Sequence, residues 1–350
     1  SIRFIVTSTN VTVNNFVTVT ERQALGPFAT TRTIIRKECI MASIDLDKML
    51  TKIKSTQWAL SDIDWDAPGA DLITDEQWPK LKEFMADLMW IEHVGARAFA
   101  ALAKKAPDDT LRQIYTYFHA EEQRHANAEM ALMKRWGMLD GDEIPEPNIN
   151  LRIVIEWLDR FADEMPLYVL GTVVPMLEIA LDGALCTFLL DTVKDPVCHQ
   201  AFERINDDES RHLGVGFTVM EMQGRGKTFI GATKMLAPLM DPRLILGIAS
   251  YAPLLNKMRD NVIAMGLPEE KLYKAMKKFE RIGGRTEDGR RNPWFQIIKY
   301  HGRFVTNRSQ RAYHVPVDGL VKLTNMVPRR ALPAVPSWVK ELTWQPTATH

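Results

Sequence analysis

One short pattern occurs twice in this chain, and it restricts the possible folds more than any bulk property. Glu121-Glu122-Gln123-Arg124-His125 and Asp208-Glu209-Ser210-Arg211-His212 both read acid-Glu-x-Arg-His. On an α-helix, residues three apart share a face. Glu122 with His125, and Glu209 with His212, can therefore each offer one oxygen and one nitrogen to a metal. A single Glu-x-x-His arises by chance roughly once in a few hundred residues. Two copies, each with an acid before the Glu and an Arg before the His, set a stronger constraint.

The surrounding sequence reads as helix. Thr74-Asp-Glu-Gln77 fits a capping box, and Trp78, Leu81, Phe84, Met85, Leu88 and Met89 recur at helical spacing behind it. This helix carries Glu92 and ends at Ala106-Pro107. Asp108 or Asp109 caps the next, which carries Glu122 and His125 to Trp136-Gly137. After a connection over 141–150, an apolar segment runs from Leu151 to Val193, with bends expected at Pro166 and Pro175. It carries Glu178 between Pro175-Met-Leu and Ile179-Ala-Leu, where an unpaired carboxylate is strongly disfavoured. Asp195-Pro196 then starts a helix carrying Glu209 and His212 to about Gly224.

The spacing of the four lead acids supports a shared level. Glu92, Glu122, Glu178 and Glu209 are separated by 30, 56 and 31 residues. At 1.5 Å per residue, two antiparallel helices and a short loop return to the same height after about thirty residues. The two short intervals thus predict hairpins, and the long one a crossover. Four Glu and two His converging in a bundle match the carboxylate arrangement that holds two iron or manganese ions. The competing interpretation makes them solvated residues of amphipathic helices, and Glu178 argues hardest against it.

Over roughly 74–224 the chain resembles the ferritin-like di-iron carboxylate superfamily. The resemblance implies an all-α fold, a ferritin-like four-helix bundle with additional C-terminal helices. It implies one metal held mainly by Glu92 and His125, another by Glu178 and His212, with Glu122 and Glu209 able to bridge. Glu121 and Asp208 would accept the ring N–H of the histidine on the opposite hairpin, and Arg124 and Arg211 would balance charge. The implied cofactor is two Fe ions as Fe/Fe, with Mn/Fe as the alternative.

Within that superfamily, Glu129 stands four residues after the first His, where ribonucleotide reductase small subunits place a radical Tyr. Ile205 stands where N-oxygenases of the p-aminobenzoate type have an extra His. The spacing is similar to the bacterial hydroxylase and epoxidase branch and to the aldehyde-deformylating branch. The implied activity is an O2-dependent oxygenase or oxidase acting on a mainly apolar organic substrate, with acyl and aldehyde compounds as the candidates. Electrons would come from a ferredoxin or reductase. The alternative is a ferroxidase or peroxide-scavenging protein with no organic substrate.

Other features add less. Residues 1–40, rich in Val, Thr, Ser and Asn, read as non-native or disordered sequence outside the fold, with a targeting peptide or strand-forming arm as the alternative. The bundle is expected over 41–224 and a helical extension packed on it over 225–350, with helices near 241–265, 268–281 and 293–308 and an irregular tail after Pro316. Formal net charge is zero, so nothing points to nucleic acid. Arg281 to His350 nevertheless carries twelve Lys/Arg against four Asp/Glu, a stretch that suits an acidic ferredoxin, an acyl-carrier protein or a CoA ester, with a plain solvated face as the equal alternative. Three cysteines without paired spacing argue against a disulfide framework, and a cytoplasmic setting and a homodimer are the expectations. Glu129 and Asp182, each four residues past a ligand position, are expected to be buried acids serving as hydrogen-bond partners, with proton relays or extra ligands as the alternative. Gly214 and Gly216 either leave room beside the site or allow close packing. Cys186 reads as core, and Gly224-Arg-Gly-Lys-Thr228 lacks the first glycine and the preceding strand of a phosphate loop.

Overall fold

The computed structural model describes residues 44–328, except 142, 227, 265–267, 308 and 327, so expectations for residues 1–40 and the far C-terminus fall outside the described residues. All regular elements among the described residues are helical. Four long helices form the bundle: α2 (Gln77–Lys105), α3 (Asp109–Arg135), α5 (Leu167–Thr192) and α6 (Pro196–Gly224). A short α1 (Leu46–Ser55) leads in, and α4 (Ile149–Phe161) lies in the crossover.

Local chemistry sets the hairpins. Thr74 and Gln77 exchange hydrogen bonds, Thr74 N–H to Gln77 Oε1 at 3.2 Å and Gln77 N–H to Thr74 Oγ1 at 3.3 Å, the reciprocal pattern of a capping box. Asp108 accepts the Leu111 amide at 2.8 Å at the start of α3. Asp195 accepts the Val197 amide at 3.0 Å, and Pro196 fills the first position of α6, where no amide hydrogen is needed. Two tight turns therefore fold α2 onto α3 and α5 onto α6.

The segment from Leu151 to Val193 differs from expectation. It is two helices rather than one bent rod. Asn148 accepts the amides of Asn150 and Leu151 to start α4, and a single 3₁₀ turn over Ala162–Glu164 follows. Pro166 then caps a fresh α5, because its ring forbids continuing the earlier turn. Pro175 stays inside α5. Gly216 makes this possible: a methyl group there would overlap the Pro175 ring, so the two helices meet because the glycine is bare. Gly214 is likewise packed, facing Ile44. Close packing accounts for both glycines.

Beyond α6 follow α7 (Phe229–Met235), α8 (Pro242–Ala264), α9 (Glu269–Gly283), α10 (Glu287–Arg291), α11 (Pro293–Thr306) and α12 (Arg311–Asn325). α9 and α11 pack on α5, α10 on α6, and α8 on α4. Phe217 and Met220 of α6 join Met276, Phe279, Phe295 and Ile298 in a second apolar cluster, each large side chain worth roughly 1.5–3 kcal/mol on burial. Leu244, Leu254, Leu255, Trp294 and Phe295 are ordinary core. The irregular tail expected after Pro316 is corrected up to Asn325, because α12 runs through that proline, and the remainder of the tail from 329 lies outside the described residues. Tertiary bonds outweigh the lost backbone bond, with His314 Nε2–H reaching Asn307 O at 3.0 Å and Asn256 Nδ2–H reaching Asp318 at 2.9 Å. Among the described residues no helix is long and apolar enough to cross a membrane.

Candidate metal centre

Each bundle helix delivers its part at one level. α2 supplies Glu92, α3 supplies Glu122 and His125, α5 supplies Glu178, and α6 supplies Glu209 and His212. All six are buried, between 0% and 6% exposed. Their donor atoms form two groups, Glu92-Glu122-His125-Glu209 and Glu122-Glu178-Glu209-His212, within each of which the atoms lie within 4.8 Å of one another. Glu122 and Glu209 belong to both. The bundle is ferritin-like in this sense, and its two groups can hold two metal ions.

The orphaned atoms fit that use. Nδ1 of His125 sits 3.0 Å from Glu209 Oε1 and 3.4 Å from Glu92 Oε2 without making a hydrogen bond. Both oxygens of Glu178 and one of Glu209 also lack a partner. Buried polar atoms rarely stay unsatisfied, and a cation is the partner a convergent set of this kind accepts. Oxygen and imidazole donors suit iron or manganese. Gly95 adds room, because a methyl there would overlap the Glu122 carboxylate. Gly95→Ala is therefore expected to leave the helical content intact while weakening metal binding by about tenfold, since that carboxylate is shared by both groups. Circular dichroism with metal titration checks both halves.

An outer ring fixes the histidines. His125 Nε2–H donates to Asp208 Oδ2 at 3.0 Å, and His212 Nε2–H donates to Glu121 Oε2 at 2.9 Å, so each Nδ1 faces the centre. Asp208 also accepts from Trp58 Nε1–H at 2.8 Å, from Arg124 at 3.3 Å and from Arg211. Glu121 accepts from Arg211 at 3.2 Å and from Gln57. The Trp58 ring lies nearly parallel to His125, 6.4 Å between centroids at 14°, with the Arg124 guanidinium 4.8 Å from the indole centre. Phe118 and Phe99 pack against His212 at 4.1 and 5.1 Å, and Tyr115 packs beside both phenylalanines.

Charge follows from this crowding. Burial raises Glu122 well above its usual pKa, and the neighbouring charges of Glu209 and Glu92 push the same way. Burial also raises Glu178, with His212 opposing it. Burial resists ionisation of Glu209, yet His212 and His125 pull it down to about 2. Burial disfavours the cationic form of His125, but the hydrogen bond to Asp208 and the close carboxylates of Glu209 and Glu92 win and raise it. His212 is raised in the same way, chiefly through the Glu209 charge. In the metal-free protein the surrounding carboxylates therefore favour the protonated form of both rings.

The sign of the pH dependence follows. Groups with raised folded pKa values add stability that is complete below their unfolded values, 6.5 for His and 4.5 for Glu, and lost as pH climbs through the folded ones. Metal must displace those protons. Metal binding is expected to release protons into unbuffered solution and to strengthen from pH 6 to 8, while the metal-free protein loses stability over the same window. Calorimetric metal titrations in buffers of different ionisation enthalpy check this; affinity flat with pH would contradict it.

Sequence reasoning missed several residues. Gln57 and Trp58 precede the first recognised helix and reach the ring only by tertiary contact. Gly95 resembles any mid-helix glycine. His93, beside Glu92, lies outside both groups, and burial takes it down to about 4. Glu129 departs from expectation: it is fully buried, but neither oxygen has a hydrogen-bond partner. The side chains of Asp182 and Cys186 lie outside the described residues.

No protein-family model matches this chain, and no curated protein matches it. Among solved structures it is similar to a mutant R2-like ligand-binding oxidase with an aerobically reconstituted Mn/Fe cofactor, at 16% identity and a TM-score of 0.45, covering 77% of this chain and 95% of that one.

Proposed function

We propose that this protein is an O2-dependent oxidase or oxygenase acting on a mainly apolar organic substrate. In this reading Glu92 and His125 hold one metal, Glu178 and His212 the other, and Glu122 and Glu209 bridge them. The observation that carries it is the dry, six-donor cluster with an aromatic flank. Two iron ions, or one Mn and one Fe, held there would supply the electron transfer to O2 that carboxylates and imidazoles cannot.

The protein's own residues have separate tasks. Asp208 and Glu121 hold each imidazole in the tautomer that turns Nδ1 inward. Arg124 and Arg211 neutralise those two acids. Phe99, Tyr115 and Phe118 exclude water on the His212 side, which favours an apolar substrate over a sugar or nucleotide. The basic stretch after Arg281 would receive an acidic electron donor such as a ferredoxin, or a reductase.

The test is anaerobic loading with Fe(II) and then exposure to O2 in a stopped-flow spectrometer. It is run with and without a panel of fatty acids, aldehydes and acyl thioesters. Regioselective, O2-dependent product at one equivalent per turnover is the expected result. Rapid multi-turnover Fe(II) oxidation without any organic product would replace this reading with iron handling.

A further inference from the structure

Glu129 has no task in the scheme above, yet it occupies an expensive place. It follows Glu122 by seven residues and His125 by four, on the same face of α3. Its exposure is 0%, and both carboxylate oxygens lack a hydrogen-bond partner. The charges that act on it most are Glu92, His125, Glu122 and Glu209, the members of the first group. Helix spacing puts Glu129 one turn beyond His125 on that face.

Charge balance indicates its form. Six carboxylates surround the centre: Glu92, Glu121, Glu122, Glu178, Asp208 and Glu209. Two divalent ions together with Arg124 and Arg211 neutralise all six. An ionised Glu129, which touches neither guanidinium and is no metal ligand here, would be a buried negative charge without an adjacent counterion, and an isolated buried carboxylate costs several kcal/mol or more. Neutral, the side chain has one O–H to donate, and no protein atom accepts it. The other orphaned atoms nearby, on His125, Glu178 and Glu209, face the metal positions.

We propose that Glu129 is a neutral carboxylic acid whose O–H donates a hydrogen bond to a small anion bound at the Glu92/His125 metal position. This rests on the two-metal reading. It makes the two positions unequal: the Glu92/His125 side carries a donor for an exogenous ligand, and the His212 side has an aromatic wall.

The test uses the full chain loaded with Co(II) and titrated with azide, followed by visible absorption. Wild type, Glu129→Gln and Glu129→Leu are compared, with cobalt counted in each. All three are expected to hold two cobalt ions. Glu129→Leu is expected to bind azide about tenfold more weakly, and Glu129→Gln, whose amide still donates, within about threefold of wild type. Infrared difference spectra on azide binding should show a carboxylic-acid C=O stretch shifting in wild type and absent in Glu129→Gln, a readout that does not need the leucine variant to fold. Equal azide affinity in all three proteins, or no carboxylic-acid band, overturns the proposal. So does a cobalt count of one in Glu129→Gln, which would make Glu129 a ligand. Wild type that holds no cobalt would instead remove the two-metal reading itself.

Discussion

Replacing Glu209 with alanine is expected to take the metal content from two ions to fewer than one per chain and to abolish the O2-dependent turnover proposed above. Glu209 contributes to both groups of donors, with Oε1 3.0 Å from His125 Nδ1 and Oε2 3.2 Å from His212 Nδ1. Losing it removes one donor from each position at once. Outer partners of metal ligands are typically worth about 10–100-fold in affinity, so removing a shared inner donor should cost at least about a hundredfold. The fold should persist, because the side chain anchors no outer group. Glu203→Ala, one or two turns earlier on the exposed face of α6, serves as the control and should keep both ions. Metal analysis after anaerobic loading and desalting decides it. Two retained ions in Glu209→Ala would mean that this carboxylate is not shared.

Much of this centre was readable in one dimension because metal chemistry restricts residue type and helix geometry restricts spacing. Glu178 stood out because an acid inside an apolar run must have a purpose. The hairpins were readable because Thr74, Asp108 and Asp195-Pro196 are local start signals that need no partner from elsewhere. The boundary between α4 and α5 was hidden by continuous apolarity, which helix and turn shared. α12 ignores Pro316 because His314 and Asp318 bond across to other segments, and such bonds leave no trace in the local pattern. Trp58 and Gln57 belong to the centre only through folding: Trp58 meets Asp208 across 150 positions of chain. Glu129 was legible as a buried acid, but its lack of any partner is a property of three-dimensional packing.

Asp208→Ala is expected to damage stability where Glu209→Ala damages chemistry. Asp208 is 1% exposed and accepts from His125, Trp58, Arg124 and Arg211. Burial opposes its ionisation, but the hydrogen bond from His125 and the charges of Arg211 and Arg124 hold it well below the usual carboxylate range. Its removal leaves Arg124 and Arg211, both near 5% exposed, sharing Glu121 as their remaining acid. Breaking a buried ion pair by deleting one partner costs about 3–5 kcal/mol, because the surviving charge stays buried. A chain of this size should then melt roughly 10 °C lower. The loss should be present with and without metal, since the guanidiniums are stranded in either state. Metal affinity should fall as well, by about 10–100-fold, because His125 loses the acceptor that fixes its tautomer. Asp208→Asn keeps the acceptor oxygen and the shape, so it should recover part of the affinity but less of the stability. Thermal unfolding of loaded and metal-free protein separates the two effects. An unchanged melting point for metal-free Asp208→Ala would show that the outer ring orients the ligands without holding the bundle together.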